Sequence, residues 1–275
     1  MADSKWVYCL NTSTIRPADI LEKIRIASEA NYDAIELWND DMTAYIESGG
    51  SMQDIVTALA DHGLKVPSVI AIHNWMDTEG DEHRRALDEA KRRMEQAVAV
   101  GAPYIVATPP RQMDTPLDYD RAGERYRELL ELGRQIGVLP ALEFLGFSET
   151  VYRIDQAWEI VKRAADPQGT VVLDTFHLYR GGSTLDDAPD LIGERIAIFH
   201  FNDVPSGIPR EQLTDADRVY PGDGILPLRE WVGIVQARGY RGAISLELFN
   251  RTLWERDLRE VARIGLEKVK AVLET

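Results

Sequence analysis

Cysteine is nearly absent from this sequence. Cys9 is the single one in 275 residues, so no intrachain disulfide can form. That fits a reducing compartment, and Cys9 itself lies in an apolar, strand-like run and reads as a buried, inert thiol. Long hydrophobic runs are missing too: no apolar stretch approaches the ~18 residues that a bilayer crossing needs. The N-terminal MADSKWVYCLNTST lacks a basic segment followed by a long apolar one, so no signal peptide is expected and the expected localisation is cytoplasmic. Basic charge is in deficit, with 31 Lys+Arg against 46 Asp+Glu and a formal net charge of -15. Such a surface repels phosphate backbones and anionic membranes, so neither nucleic acid nor a membrane is an expected partner. The turn after the first apolar run reads LNTSTIRP, without the GxGxxG that a doubly wound dinucleotide-binding sheet usually carries.

What is present is an alternation. Hydrophobic residues make up 44% of the chain, enough for a sizeable core. Eight short apolar runs recur: WVYCL (6–10), AIELW (34–38), VPSVIAI (66–72), YIVAT (104–108), LPALEF (139–144), TVVLD (170–174), IAIFHF (196–201) and AISLEL (243–248). They are near-continuously apolar, as strands buried on both faces are. Amphipathic segments separate them. Pro17 is expected to open the first helix, with Ile20, Leu21, Ile24 and Ala27 on one face. Leu87, Ala90, Met94, Ala97 and Val98 share a face in a later one, and Gly101 and Gly137 are expected C-caps. Eight β-then-α units predict a single (β/α)₈ TIM barrel spanning 1–275 as one domain. The longest irregular stretch, about Asn202 to Pro227, follows the seventh run, and loops of that length are often functional.

In such a barrel the C-terminal strand ends face the active site. Four late ends each carry one polar residue among apolar neighbours: Glu143 in Leu-Glu-Phe, Asp174 after Leu173, His200 in Phe-His-Phe and Glu247 in Leu-Glu-Leu. One buried carboxylate is expensive, and three together are prohibitive without a cation. Three carboxylates and one imidazole suit one hard or borderline divalent ion, Mn²⁺, Zn²⁺, Co²⁺ or Mg²⁺, whose open positions can take substrate oxygens. Singly, each of these residues reads more readily as a satisfied, salt-bridged strand end; their joint placement on four successive runs is the specific feature.

The segments ALEFLGF (141–147), VVLDTFHLYRGG (171–182), IFHFNDV (198–204), LTDADRVYPGDG (213–224) and SLELFN (245–250) resemble the xylose-isomerase-like TIM-barrel superfamily of sugar isomerases and epimerases. Within it the resemblance is greatest to the inosose (2-keto-myo-inositol) isomerases of myo-inositol breakdown. It spans essentially the whole chain and implies that Glu143, Asp174, His200 and Glu247 bind one divalent ion. It implies that Glu143 and Glu247 also exchange the proton next to a ketone, that His177 approaches the substrate, and that Arg218 contacts a substrate oxygen. The bland alternatives are a structural loop histidine and a solvent-facing arginine.

Other candidates rest on position alone. Asp203, close after His200, can orient its ring or bind substrate. Gly222 and Gly224 are expected to serve a backbone turn. Glu36 and His73, at early strand ends with Trp38 and Trp75 nearby, are candidate contacts to a polyol ring, although both tryptophans also suit a core cover. His62 and His83 read as solvated surface residues. Trp254 and Phe249 read as exposed aromatics that could support a homo-oligomer. The upper loops show no Lys-rich or Gly-rich phosphate cradle, although Arg180, Arg210 and Arg218 could still serve one, so the expected partner is a small unphosphorylated keto-polyol. The same proton removal could expel a β-leaving group, so a lyase or dehydratase acting on a keto-sugar or dehydroshikimate-like substrate is the rival. A non-catalytic sugar-binding subunit is the alternative of another class. An endonuclease-IV-like DNA repair enzyme is disfavoured by five histidines and the net charge of -15.

Overall fold

Why eight short apolar runs close into a ring is visible in their register. In the computed structural model, which describes residues 6–274, the strands are β1 (Val7–Asn11), β2 (Ala34–Trp38), β3 (Ser68–Ile72), β4 (Tyr104–Ala107), β5 (Leu139–Glu143), β6 (Thr170–Asp174), β7 (Ile196–Phe201) and β8 (Ala243–Leu246). All pair in parallel in sequence order, and β1 pairs with β8 to close the barrel. The expected (β/α)₈ architecture is the one that forms. Helices cover it outside: α1 (Ile20–Glu29), α2 (Asn39–Glu47), α3 (Met52–Asp61), α4 (Gly80–Ala99), α5 (Tyr119–Ile136), α6 (Ile154–Ala164), α7 (Thr175–Gly181), α8 (Leu228–Ala237), α9 (Arg251–Trp254) and α10 (Leu258–Leu273). No helix among the described residues is long and apolar enough to cross a membrane.

Side chains alternate along a strand, so every second residue faces the barrel interior. Cys9, Ala34, Val106, Ala141, Val172, Ile198 and Ala243 belong to one buried cluster, separate from the larger core between strands and helices. These are small or β-branched residues, as the narrow interior of eight strands requires. Two or four positions further on come Asn11, Glu36, Thr108, Glu143, Asp174, His200 and Glu247. The same alternation that packs the barrel floor with apolar groups therefore stacks polar ones above it, at the C-terminal mouth.

Local capping departs from the expectations in places. Pro17 lies in the turn before α1, not inside it; Asp19 is the N-cap, accepting from the Glu22 N–H at 2.9 Å. An Asp carboxylate satisfies an orphan N–H that proline cannot. Gly137 does close α5 in the left-handed region, φ 106°, with its N–H on Gly133 O. Val98 sits on the outer side of α4 and is exposed. The Asn202–Pro227 stretch is pinned by a bridge between Asp203 and Val219 and contains two short 3₁₀ turns. His83 is buried, not solvated: its Nε2 lies 2.8 Å from Glu128. Trp254 is half-buried and donates to Ser13 O, while Phe249 lines the barrel mouth, so neither forms an outward apolar face.

Candidate metal centre

The four expected ligands converge. His200 Nδ1 lies 3.2 Å from Glu143 Oε1, 3.3 Å from Glu247 Oε2 and 3.8 Å from Asp174 Oδ2. Ligand atoms of Asp174, His200 and Glu247 lie within 4.8 Å of one another, and so do those of Glu143, Asp174 and His177. All five residues are buried. Asp174, shared by both groups, ends β6 and caps α7, taking the His177 backbone N–H at 2.9 Å. One carboxylate thus fixes both a cluster oxygen and the start of the helix that carries His177.

His177 also accepts the Gly146 N–H at Nδ1, 3.1 Å. A neutral ring accepting there carries its proton on Nε2, which faces Arg218 Nη2 at 3.3 Å. Two donors then meet, so that proximity is not a bond. Burial, and then the Arg218 charge, hold the His177 pKa below its ordinary value against the pull of Asp174. The ring is therefore a neutral N–H donor at the cavity wall.

Arg218 is 1% exposed, which excludes the solvent-facing alternative. Its Nη1 donates to Asp174 Oδ2 at 2.9 Å and Glu247 Oε2 at 2.7 Å, and its Nη2 to Asp215 Oδ1 at 2.7 Å. Phe176 and Phe249 flank the guanidinium, 4.6 and 5.2 Å from Cζ to ring centroid. Its Nε is buried and has no protein partner. A cavity of about 530 Å³ opens above this floor, lined by Glu143, Glu247, His177, Arg218, His73, Trp38 and Phe249 among others.

Two expected substrate contacts lie elsewhere. Glu36 is fully buried beneath the cavity. It holds His200 Nε2 at 3.1 Å and accepts from Ser245 Oγ and Asn11 Nδ2, both at 2.8 Å. That is the position of a carboxylate that orients an imidazole from behind. Asp203 reaches neither His200 nor the cavity. Its carboxylate takes the backbone N–H groups of Val204, Gly222, Gly224 and Leu226 at 2.9–3.1 Å, so it ties the long loop. Gly222 lies in that turn at φ 86°, and a Cβ at Gly224 would run into Val204 O and Asp203. His73 does line the cavity, with Nδ1 2.7 Å from Thr108 Oγ1. Trp38 walls the cavity, whereas Trp75 is buried against Thr108 O.

Asn11 was not foreseen. It is fully buried and its amide is satisfied on all sides. Nδ2 donates to Glu36 Oε2 at 2.8 Å and to Glu247 Oε1 at 3.1 Å, while Oδ1 accepts from Ser13 N and Trp38 Nε1. A flipped amide would turn donors on donors, so the network fixes its orientation. No motif marks this asparagine; only the inward parity of position 11 on β1 could have pointed to it.

The charge balance tests whether a cation fits. Four buried carboxyl groups, from Glu36, Glu143, Asp174 and Glu247, face one guanidinium and the two imidazoles of His177, held neutral, and His200. Burial, and after it the charges of Asp174 and Glu143, push the Glu247 carboxyl up to about 8 even though His200 and Arg218 draw it down. Burial also opposes ionised Asp174, but Arg218, His177 and His200 outweigh it and hold that carboxyl below the usual range. The His200 pKa is raised well above its ordinary value: burial lowers it, and Glu247 and Glu36 more than compensate. The cluster is thus short of positive charge. Oxygen and imidazole donors suit a divalent ion, with His200 offering Nδ1 while Glu36 holds the proton on Nε2.

A (β/α)₈ barrel with a carboxylate–imidazole cluster at its C-terminal mouth defines a class of barrels built around a polar centre. Residues 24–271 match the model of the xylose isomerase-like TIM barrel family, and the chain belongs to that family. It is 26% identical over 270 residues to an inosose isomerase of Bacillus velezensis, covering 96% of each chain. A 3-dehydroshikimate dehydratase of Pseudomonas aeruginosa is 28% identical over 237 residues, 83% of this chain but 36% of that one. Among solved structures, the IolI protein with a zinc atom superposes with a TM-score of 0.90 at 25% identity, covering 97% of this chain and 98% of that one.

Proposed function

We propose that this protein is a divalent-metal-dependent isomerase or epimerase of an unphosphorylated keto-polyol, an inosose or a free ketose. One observation carries the reading: Glu143 and Glu247, three strands apart in the ring, line the same cavity and both approach His200 Nδ1. Two carboxylates on either side of a substrate can take a proton from one face and return it at another. Full-length likeness to inosose isomerases supports the substrate class, and the zinc-bound neighbour supports the metal.

Glu143, Asp174, His200 and Glu247 would hold the ion. When bound, it supplies a Lewis acid that offsets negative charge developing on the substrate's oxygens. The remaining roles belong to the chain. His177 presents an Nε2–H donor to a substrate oxygen. Arg218 keeps Asp174 and Glu247 in place through Nη1, while its Nε stays buried without a protein partner. Trp38 and Phe249, edge to face at 5.8 Å, wall the site against water. His73 faces the cavity from the opposite rim as a further donor or acceptor.

The test is solvent exchange. Metal-loaded protein incubated in D₂O with 2-keto-myo-inositol and related inososes should incorporate deuterium at the carbon next to the carbonyl, read by NMR, without net loss of water. Formation of a dehydrated enone would reassign the reaction to the lyase class. No incorporation with any inosose or free ketose, whichever divalent ion is supplied, would sink the reading.

Glu36 carries its own prediction. Glu36→Gln keeps the volume and removes the charge behind His200. The zinc dissociation constant is expected to rise about 10- to 100-fold, measured by competition with a chromogenic chelator. An unchanged constant would show that Glu36 does not position the ligand.

A further inference from the structure

The cavity above the metal centre has a second chamber beside it. This one measures about 400 Å³ and is lined by Arg111, Gln112, Phe147, Glu149, Arg180 and residues 211–215. The two share Arg111, Phe147 and Asp215, which therefore form the throat between them. Arg111 follows β4. Its backbone is anchored, since its carbonyl accepts the Glu149 N–H at 2.8 Å and the adjacent Pro110 carbonyl accepts Thr150 Oγ1 at 2.7 Å. Its guanidinium lies over the Phe147 ring, 4.7 Å from the centroid. Phe147 in turn meets the His177 ring edge-on at 5.3 Å. Those two legs keep Arg111 Cζ within about 10 Å of the His177 ring centre.

Two carboxylates at the throat are engaged, whereas that of Glu211, on the wall of the second chamber, has no partner among the described residues. Asp215 gives Oδ1 to Arg218, and Glu149 takes the Gln112 amide. Arg111 is exposed and forms no ion pair among the described residues; Arg16 shares that property, but of the two only Arg111 borders both chambers. A guanidinium stacked on a ring keeps its edge N–H groups free, in the planar fork that matches an oxyanion.

We propose that the substrate is a keto-polyol bearing a carboxylate several bonds from its ketone, and that Arg111 is the residue that selects it. The ketone lies over the metal centre; the carboxylate reaches the throat and pairs with the Arg111 fork, with any longer tail entering the second chamber. This rests on the isomerase reading above and moves its substrate from a neutral inosose or ketose to a ketose that carries an acid group. A phosphate would meet the same guanidinium, but Arg180, the other arginine of the second chamber, is engaged with the Leu213 and Glu211 carbonyls, and the one remaining fork without lysine or a glycine-rich cradle suits the planar carboxylate better.

Three probes on one carbon skeleton test it: D-fructose, D-fructuronate (the same ketose with a terminal carboxylate) and D-fructose 6-phosphate. Metal-dependent deuterium incorporation gives kcat/KM for each. Fructuronate should exceed fructose by on the order of 10- to 100-fold, and Arg111→Gln should bring that ratio close to one. Arg16, which stacks on Trp38 across the mouth at 5.6 Å, is the control: Arg16→Gln should leave the ratio at ten or above. The proposal is overturned if fructose matches fructuronate, if the 6-phosphate is preferred to both, or if the ratio survives Arg111→Gln or collapses only with Arg16→Gln. Silence from all three probes and from the inososes removes the isomerase reading itself and this one with it. Exchange with neutral ketones and no carboxylate preference removes this one alone.

Discussion

Replacing Glu247 with glutamine is expected to lower turnover about 10³-fold, in the range that loss of a positioned acid–base group produces, while the melting temperature stays close to that of the parent. The two halves of the expectation have different origins. The carboxylate is the only group at that strand end able to carry a proton between the cavity and the cluster, and an amide cannot do so. For stability, glutamine has the same shape but fewer acceptors. Glu247 now accepts from Asn11 at Oε1 and from Arg218 at Oε2, and an amide can satisfy only one of these. Leaving a buried donor short costs about 1–3 kcal/mol. Against that, glutamine is neutral at a site crowded enough to push this carboxyl up to about 8, so it avoids the repulsion that an ionised carboxylate meets there. The opposing terms are of similar size, so the fold should survive where the activity does not. Steady-state exchange in D₂O and a thermal melt on the same sample check both halves. An enzyme keeping more than a tenth of its turnover would remove Glu247 from the proton path.

The barrel and the floor of the site were legible in the sequence because both depend on local alternation. A single polar residue in a run of apolar ones, repeated at four successive strand ends, is readable without knowing how the strands meet. Partners across the barrel are not readable in that way. Glu36 lies on β2 and His200 on β7, and only ring closure and stagger place them back to back. Sequence reasoning saw Glu36 as a strand-end acid and sent it toward the substrate. Asp203 failed for a different reason. It is three residues past His200, an odd offset, so the extended chain turns its side chain away from the face that His200 occupies. There it found four backbone N–H groups. Nearness in sequence was mistaken for nearness in space. Arg111 and Phe147 come from loops, where no periodicity reports direction, and their juxtaposition is set by backbone hydrogen bonds between two connections. Arg218 was expected at the substrate, yet its main engagement is with two cluster carboxylates, because the long loop that carries it is held down by Asp203.

Chelating the cation is expected to abolish exchange and, beyond that, to make thermal stability fall as pH rises from ~6 to ~8.5. The sign follows from the direction of the shifts. The Glu247 carboxyl is pushed up to about 8, above the ~4.3 of a free glutamate in the unfolded chain. A raised pKa contributes stability that is complete below the unfolded value and is lost as pH climbs through the folded one. His200, also raised, acts in the same sense. Asp174 and Glu36 are lowered, so their contributions are present at neutral pH and lost only in acid, outside this window. With each pKa unit worth ~1.4 kcal/mol, the chelated protein should lose a few kcal/mol across the window, a drop in Tm on the order of 5 °C for a chain of this size. A bound divalent ion reverses the trend. It replaces the shared proton, and its affinity grows as ligands deprotonate, adding about 2.7 kcal/mol at a hundredfold excess over its dissociation constant. Melting curves with chelator and with added zinc or manganese should therefore diverge as pH rises. Parallel curves would mean that Glu143, Asp174, Glu247 and His200 do not hold the ion. The second chamber and its arginine would then have to be read without a metal floor beneath them.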